Sequence, residues 1–271
     1  MLEPPTPVAA PPHWWGHVEV ADETTAHWHV GSLRLWASRL GGRWRISSLQ
    51  DDDPLVATLT LAVPCPIGEV PAVATTQVFA TSRVYTAINL RPCLATRPVV
   101  ARPLDSLVVQ PDDETTLFVS SSLWLQMSWS DVATPLVDLP IFRPSDTWFG
   151  PSRAEGELCY VTRTRALASA DDLTWLPGRA VTRVQIRNRS RVGLAVERIK
   201  LPVTRLALHA DAAGRLWTDP LTYIVSGAGA DADVERSATA PAEAGPCTLV
   251  SPPRAEGHLM NWKRTLSALL G

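Results

Sequence analysis

Lysine is nearly absent from this 271-residue chain: Lys200 and Lys263 are the only two, and the rest of the positive charge is arginine. With 25 basic against 27 acidic residues the formal charge is −2, which argues against whole-molecule attraction to nucleic acid or to an anionic membrane. Cysteine is sparse too. Cys65, Cys93, Cys159 and Cys247 lie far apart with no C-x-x-C pair, so zinc-ribbon spacing is excluded and they read as buried free thiols. Long apolar runs are missing, because Pro64, Pro66 and Pro71 interrupt the best one before the roughly 18–20 residues of a membrane helix, and no membrane insertion is expected. The opening MLEPPTPVAAPPHWW has neither the basic stretch nor the continuous apolar stretch of a secretory leader, so a cytoplasmic location is the expectation. A G-x-S-x-G elbow is absent, and SGAGADAD (226–233) lacks the lysine and the following helix of a phosphate loop.

What the chain does have is strand patterning. Short alternating runs at 33–40, 43–48, 55–63, 75–90, 98–104, 105–110, 116–121 and 123–129 are separated by prolines and Asp clusters, the rhythm of an all-β protein. Gly41-Gly42 between LRLWASRL and RWRISS signals a hairpin turn. Further strands are expected at 180–190, 194–203, 205–210 and 221–227, with turns at Asn188-Arg189-Ser190-Arg191 and Asp211–Gly214, and 228–253 reads as loop. The resulting expectation is an all-β fold of antiparallel sandwich-like modules: a proline-rich arm over 1–14, a first β module over 15–150, a second, immunoglobulin-like module over 151–253, and an amphipathic helix over 254–271. The turn-rich stretch 142–157 marks the boundary between the modules. Leu259, Trp262, Leu266 and Leu269 supply the helix's apolar stripe.

The stretch HVEVADETTAHWHV (17–30) carries the most suggestive chemistry. Read as a hairpin turning about Glu23, it places Val18 opposite Trp28 and Val20 opposite Ala26 on an apolar face. The other face then gathers His17, Glu19, His27 and His29, a set of imidazoles and a carboxylate suited to a divalent transition metal, with His13 in reach as a further ligand. The plainer reading is the solvated face of an edge hairpin.

Two other features invite a binding role. Between Arg163 and Arg205 there are ten basic residues and three acids, and Arg183, Gln185, Arg187, Arg189 and Arg191 share one strand parity. Such a face suits phosphate or an acidic protein. Without interleaved exposed aromatics it does not suit nucleic acid, and solvent-facing arginines also guard a strand edge. Among the eleven tryptophans, Trp14, Trp15, Trp124 and Trp129 are candidates for stacking on sugar rings, whereas packing accounts for Trp28 and Trp148. Cys159 or Cys247 pairs with His209 or His258 only on paper, and Asp231 with Asp233 reads as a solvated loop rather than a calcium site.

The segments LVDLPIFRPSDTWFGPSRAEGELCYVTRTRAL (136–167) and VTRVQIRNRSRVGLAVERIKLPV (181–203) resemble an uncharacterised prokaryotic family, domain-of-unknown-function group 432. The resemblance rests on Trp148-Phe149-Gly150, on Gly156-x-x-Cys159-Tyr160 running toward Arg163, and on the Asn188-Arg189-Ser190 turn. It departs where the family's aromatic-Leu-Tyr-Gly run would stand. It implies a β-rich fold and assigns no site residue.

These features combine into an expectation of a non-catalytic accessory or interaction protein that docks on a protein partner or self-associates. Arg183, Arg187, Arg189, Arg191, Leu259, Trp262 and Leu266 are the expected contacts. A metal-binding protein or metalloenzyme using His17, Glu19, His27 and His29 and a carbohydrate-binding β-sandwich are the alternatives.

Overall fold

A computed structural model describes residues 13–105, 107–150, 155–164, 167–226, 232–256 and 266–267. These residues form strands and short 3-10 turns without an α-helix, and no helix among them is long and apolar enough to cross a membrane. Numbered in chain order, the strands fall into five sheets. The first runs β5-β2-β3-β4-β6, from β2 (Thr24–Val30), β3 (Leu33–Leu40), β4 (Arg43–Gln50), β5 (Leu59–Cys65) and β6 (Thr75–Ala80). The second runs β1-β7-β11-β12, from β1 (Gly16–Glu19), β7 (Ala87–Cys93), β11 (Trp124–Trp129) and β12 (Val137–Pro140).

The third sheet is the largest. It joins β10 (Glu114–Ser122), β15 (Arg179–Asn188), β18 (Leu208–Asp211), β19 (Leu216–Thr218), β20 (Leu221–Val225), β21 (Asp233–Arg236) and β22 (Cys247–Ser251), with β15 at its centre. The fourth runs β13-β14-β8-β17-β23, from β8 (Val99–Pro103), β13 (Asp146–Phe149), β14 (Glu157–Thr164), β17 (Arg198–Leu201) and β23 (Leu266–Ser267). A small ribbon pairs β9 (Leu107–Val109) with β16 (Leu194–Val196). Most pairings are antiparallel; β14 with β8 and β15 with both β19 and β20 are parallel.

Alternation decides the faces. In β2 and β3, Ala26, Trp28 and Val30 stand across from Ala37, Leu35 and Leu33, and all six are buried. Burying an indole of ~200 Å² at ~25 cal/mol per Å² contributes about 5 kcal/mol before entropy is counted. Gly41 and Gly42 both take positive φ, 53° and 81°, the type I′ geometry that matches strand twist, and the predicted β3–β4 hairpin is present.

The division into modules at residue 150 does not hold. β8 pairs with β14 and β17, β9 with β16, and β10 with β15, so three sheets draw strands from both sides of that point. One continuous core reaches from Trp14 to Val234. The stretch 142–157 carries β13 and leads into β14, and the stretch 228–253, expected as loop, contains β21 and β22. Of the expected arm, His13 and Trp14 are described, and Trp14 is buried in the core.

The C-terminal helix is also corrected. Leu266–Ser267 is extended and pairs antiparallel with Arg198–Ile199, on the side of β17 away from β8. Leu259, Trp262 and Leu269 lie outside the described residues.

Candidate functional site

The four residues expected to converge on a metal fall in two different sheets. β1 does not return onto β2. It pairs with β7, which puts exposed His17 opposite Asn89 and Glu19 opposite Ala87. β2 lies between β3 and β5, with His27 opposite Trp36 and His29 opposite Arg34. The cause is local. Asp22 Oδ1 accepts the Gly41 N–H at 2.9 Å and the Glu23 N–H donates to Arg39 O at 2.9 Å, so this turn is tied to the end of the β3–β4 hairpin. Among the described residues no three His, Cys, Asp or Glu side chains are grouped to hold a metal ion.

His27 and His29 nevertheless do share a face. The His27 ring stacks on Trp36 at 4.9 Å, His29 Nε2 lies 3.9 Å from Asp51 Oδ2, and Arg34 Nη2 donates to Asp51 Oδ1 at 3.2 Å. The Nε2 atoms of both histidines are buried without a hydrogen-bond partner. Burial holds His27 below the usual histidine value, with His29 and Arg34 adding repulsion. Burial and Arg34 do the same for His29, against the pull of Asp51. Both imidazoles are therefore biased to the neutral form.

On β15 the predicted parity is present: Val184, Ile186 and Asn188 are buried, and Arg183, Gln185 and Arg187 face outward. The charge on that face is offset. Arg183 Nε meets Glu243 Oε1 at 2.8 Å and Arg187 Nε meets Glu114 Oε2 at 3.0 Å, acids that lie far away in sequence. β15 is also a central strand, so these arginines do not guard an edge.

Arg189 and Arg191 differ from them. They follow the end of β15 in an exposed turn, and among the described residues neither has an ion-pair partner. The turn is held from below by Asn188, which is fully buried. Its amide donates to Val109 O at 2.9 Å and Val192 O at 2.8 Å, and its Oδ1 accepts from Ser190 N at 3.0 Å and Ser190 Oγ at 2.7 Å. Beside the arginines, Val192 and Val108 are exposed by 45% and 51%, on a ribbon where Gly193 sits close under Val108.

Buried carboxylates mark the third sheet. Asp219 accepts from Ala207 N at 2.9 Å and pairs with His209 Nε2 at 2.8 Å, with Arg236 Nη1 at 3.6 Å. Asp211 accepts from the backbone N–H groups of Ala213 and Arg215, from Arg215 Nε and from Trp217 Nε1. Those bonds hold its carboxyl below the ordinary value even though burial opposes them. The four thiols are all shifted away from reactivity. Burial pushes Cys93 up to about 11 and Cys159 up to about 12, and also raises Cys65 and Cys247.

The tryptophans redistribute the carbohydrate candidates. Trp14, Trp124 and Trp129 are buried, and Trp15 is half-buried with the His13 ring stacked on it at 4.3 Å. Trp148, read from sequence as packing, is 43% exposed on β13 opposite Leu158.

One group went unrecognised in the sequence. Asn89 and Arg91 on β7 and Gln126 and Ser128 on β11 lie on the polar face of the second sheet and floor a cleft of about 340 Å³. Their signal was an N-x-R and a Q-x-S of one parity inside otherwise apolar strands. Searches of curated proteins and of solved structures found no match to this chain. A family model does match it, over residues 14–269, which contain all of the sheets described above. The chain belongs to that family, described as protein of unknown function (DUF432).

Proposed function

We propose that this is a non-catalytic accessory or interaction protein that docks an acidic protein partner through the turn Arg189–Val192 and the neighbouring Val108. The carrying observation is the contrast within one arginine run: Arg183 and Arg187 have carboxylates of their own, and among the described residues Arg189 and Arg191 do not. Two exposed cations beside two exposed valines match a partner surface that is acidic at its rim and apolar at its centre. The Asn188 network supports this reading because it fixes the turn before any partner arrives, which lowers the ordering cost of association.

The test is a photo-crosslinking residue in place of Val192, introduced in the native host. A discrete adduct is expected that disappears when Arg189→Glu and Arg191→Glu are combined and persists in Arg183→Gln. An adduct with the mass of two copies assigns the turn to self-association. Absence of any adduct, or one indifferent to the charge reversal, removes the reading.

A further inference from the structure

We infer that the cleft on the second sheet binds a small hydroxylated carboxylate, with Arg91 as the anchor for the ligand's carboxylate. Asn89, Arg91, Gln126 and Ser128 form its floor, and they belong to two registered rows that run on into the neighbouring strands. His17, Asn89 and Ser128 follow one another across β1, β7 and β11, and Arg91, Gln126 and Asp138 follow one another across β7, β11 and β12. The loop after β11 supplies the wall through Ser130, Asp131, Val132, Ala133 and Pro135. It is held in place by Val132 N donating to Trp129 O and Leu136 N donating to Met127 O, and by the Asp131–Arg83 ion pair.

The second row is a relay of hydrogen bonds that ends on Arg91, a charge without a counter-charge among the described residues. Arg254 clamps Asp138 through Nη1 and Nη2 at 2.5 and 2.9 Å and is anchored on Leu94 O through Nε. Asp138 Oδ2 accepts from Gln126 Nε2 at 3.1 Å, which turns Gln126 Oε1 toward Arg91 Nη2 at 2.8 Å. Arg91 is thus oriented by a neutral amide, while the nearby carboxylates Asp138 and Asp131 are taken by Arg254 and Arg83. A guanidinium held in one orientation with donors to spare is suited to grip a carboxylate bidentately. Beside the ion-paired Asp131 and the apolar Val132, Ala133 and Pro135, the lining offers the hydroxyls of Ser128 and Ser130 and the amide of Asn89, which match hydroxyl groups on the ligand. One unmatched cation selects a monoanion; a neutral sugar leaves it without a counter-charge.

Calorimetric titration of the full chain with D-gluconate, D-glucuronate and L-lactate tests the assignment, with D-glucose and inorganic phosphate as controls. Saturable binding of a hydroxylated carboxylate at micromolar to millimolar concentration is expected, with no heat from glucose. Arg91→Gln is expected to weaken binding by about tenfold or more, and Arg91→Lys, which keeps the charge but not the fork, by less. Arg183→Gln, on the third sheet and outside the cleft lining, should bind as the native chain does. The assignment is overturned if no carboxylate binds, if glucose binds equally, if phosphate binds and the carboxylates do not, or if Arg91→Gln retains the affinity. Circular dichroism of each variant separates loss of binding from loss of fold, and Ser128→Ala, a smaller change in the same floor, provides a second reading if Arg91→Gln does not fold.

Discussion

The Asn188 side-chain amide donates to the Val192 carbonyl four residues ahead, at 2.8 Å, and its second N–H reaches Val109 on another strand. Both donors and both lone-pair directions of this one amide are used, in a position closed to water. Asn188→Ala leaves several buried groups without partners, at about 1–3 kcal/mol each before relaxation, so a net loss of about 3 kcal/mol is expected. Asn188→Asp keeps the acceptors for Ser190 but turns a carboxylate oxygen toward two carbonyls, and a comparable loss is expected. Urea unfolding measures both. A change within ~0.5 kcal/mol, typical of an unremarkable surface site, would show that the turn does not depend on the amide.

His27 and His29 predict a dependence of stability on pH. Both have folded values below 6.5, whereas the unfolded chain takes up protons near 6.5. In the window below that value the unfolded state binds more protons than the folded one, so stability rises with pH there and is lost as the solution is acidified. Denaturant midpoints at about pH 7 and about pH 5.5 should differ in that direction, and the difference should shrink in the combined His27→Gln, His29→Gln variant. An unchanged difference would place the acid sensitivity elsewhere.

These histidines also show where sequence reading stops. Alternation in 24–30 placed Trp28 on the apolar face and His27 with His29 on the other, because the period of a strand is a local property. The partner of a strand is not local. β1 finds β7 far along the chain, and a hydrogen bond from Gly41 to Asp22 redirects what composition marked as a hairpin turn. The same limit governs the arginines: their parity on β15 was legible, but Glu114 and Glu243, which neutralise two of them, come from distant segments. The cleft was invisible for that reason, since Arg91 and Gln126 become neighbours only once β7 and β11 pair. The helix assigned to the tail failed differently. A 3–4 spacing of Leu and Trp is compatible with a helix, but Leu266 is claimed by the open edge of β17.

Thiol chemistry gives a graded expectation. The thiolate is the species that reacts, and burial disfavours it at all four cysteines. Under native conditions iodoacetamide should modify half-buried Cys65 and Cys247 slowly, and buried Cys93 and Cys159 only after unfolding. Peptide mass spectrometry over a time course distinguishes the two classes. Fast native labelling of Cys159 would contradict both its burial and its value of about 12.

Asp219 is the carboxylate whose removal should cost most. It is 1% exposed and receives the Ala207 N–H, the His209 ring and the more distant Arg236. Asp219→Ala deprives all three at once, and buried donors left without their acceptor cost about 1–3 kcal/mol each before relaxation, so a net loss of about 3–5 kcal/mol is expected. Asp219→Asn retains the shape and one acceptor oxygen, so it should cost less, about 1–3 kcal/mol. His209→Ala leaves Asp219 with its backbone donor and with Arg236, and should also be the milder change. Unfolding of the two single alanine variants and of the double variant closes a thermodynamic cycle. If the pair acts as a unit, the double variant is less destabilised than the sum of the singles, because the second substitution removes a group already without its partner. Strict additivity would mean that the 2.8 Å contact contributes nothing of its own, and that Asp219 is held for the Ala207 N–H and Arg236.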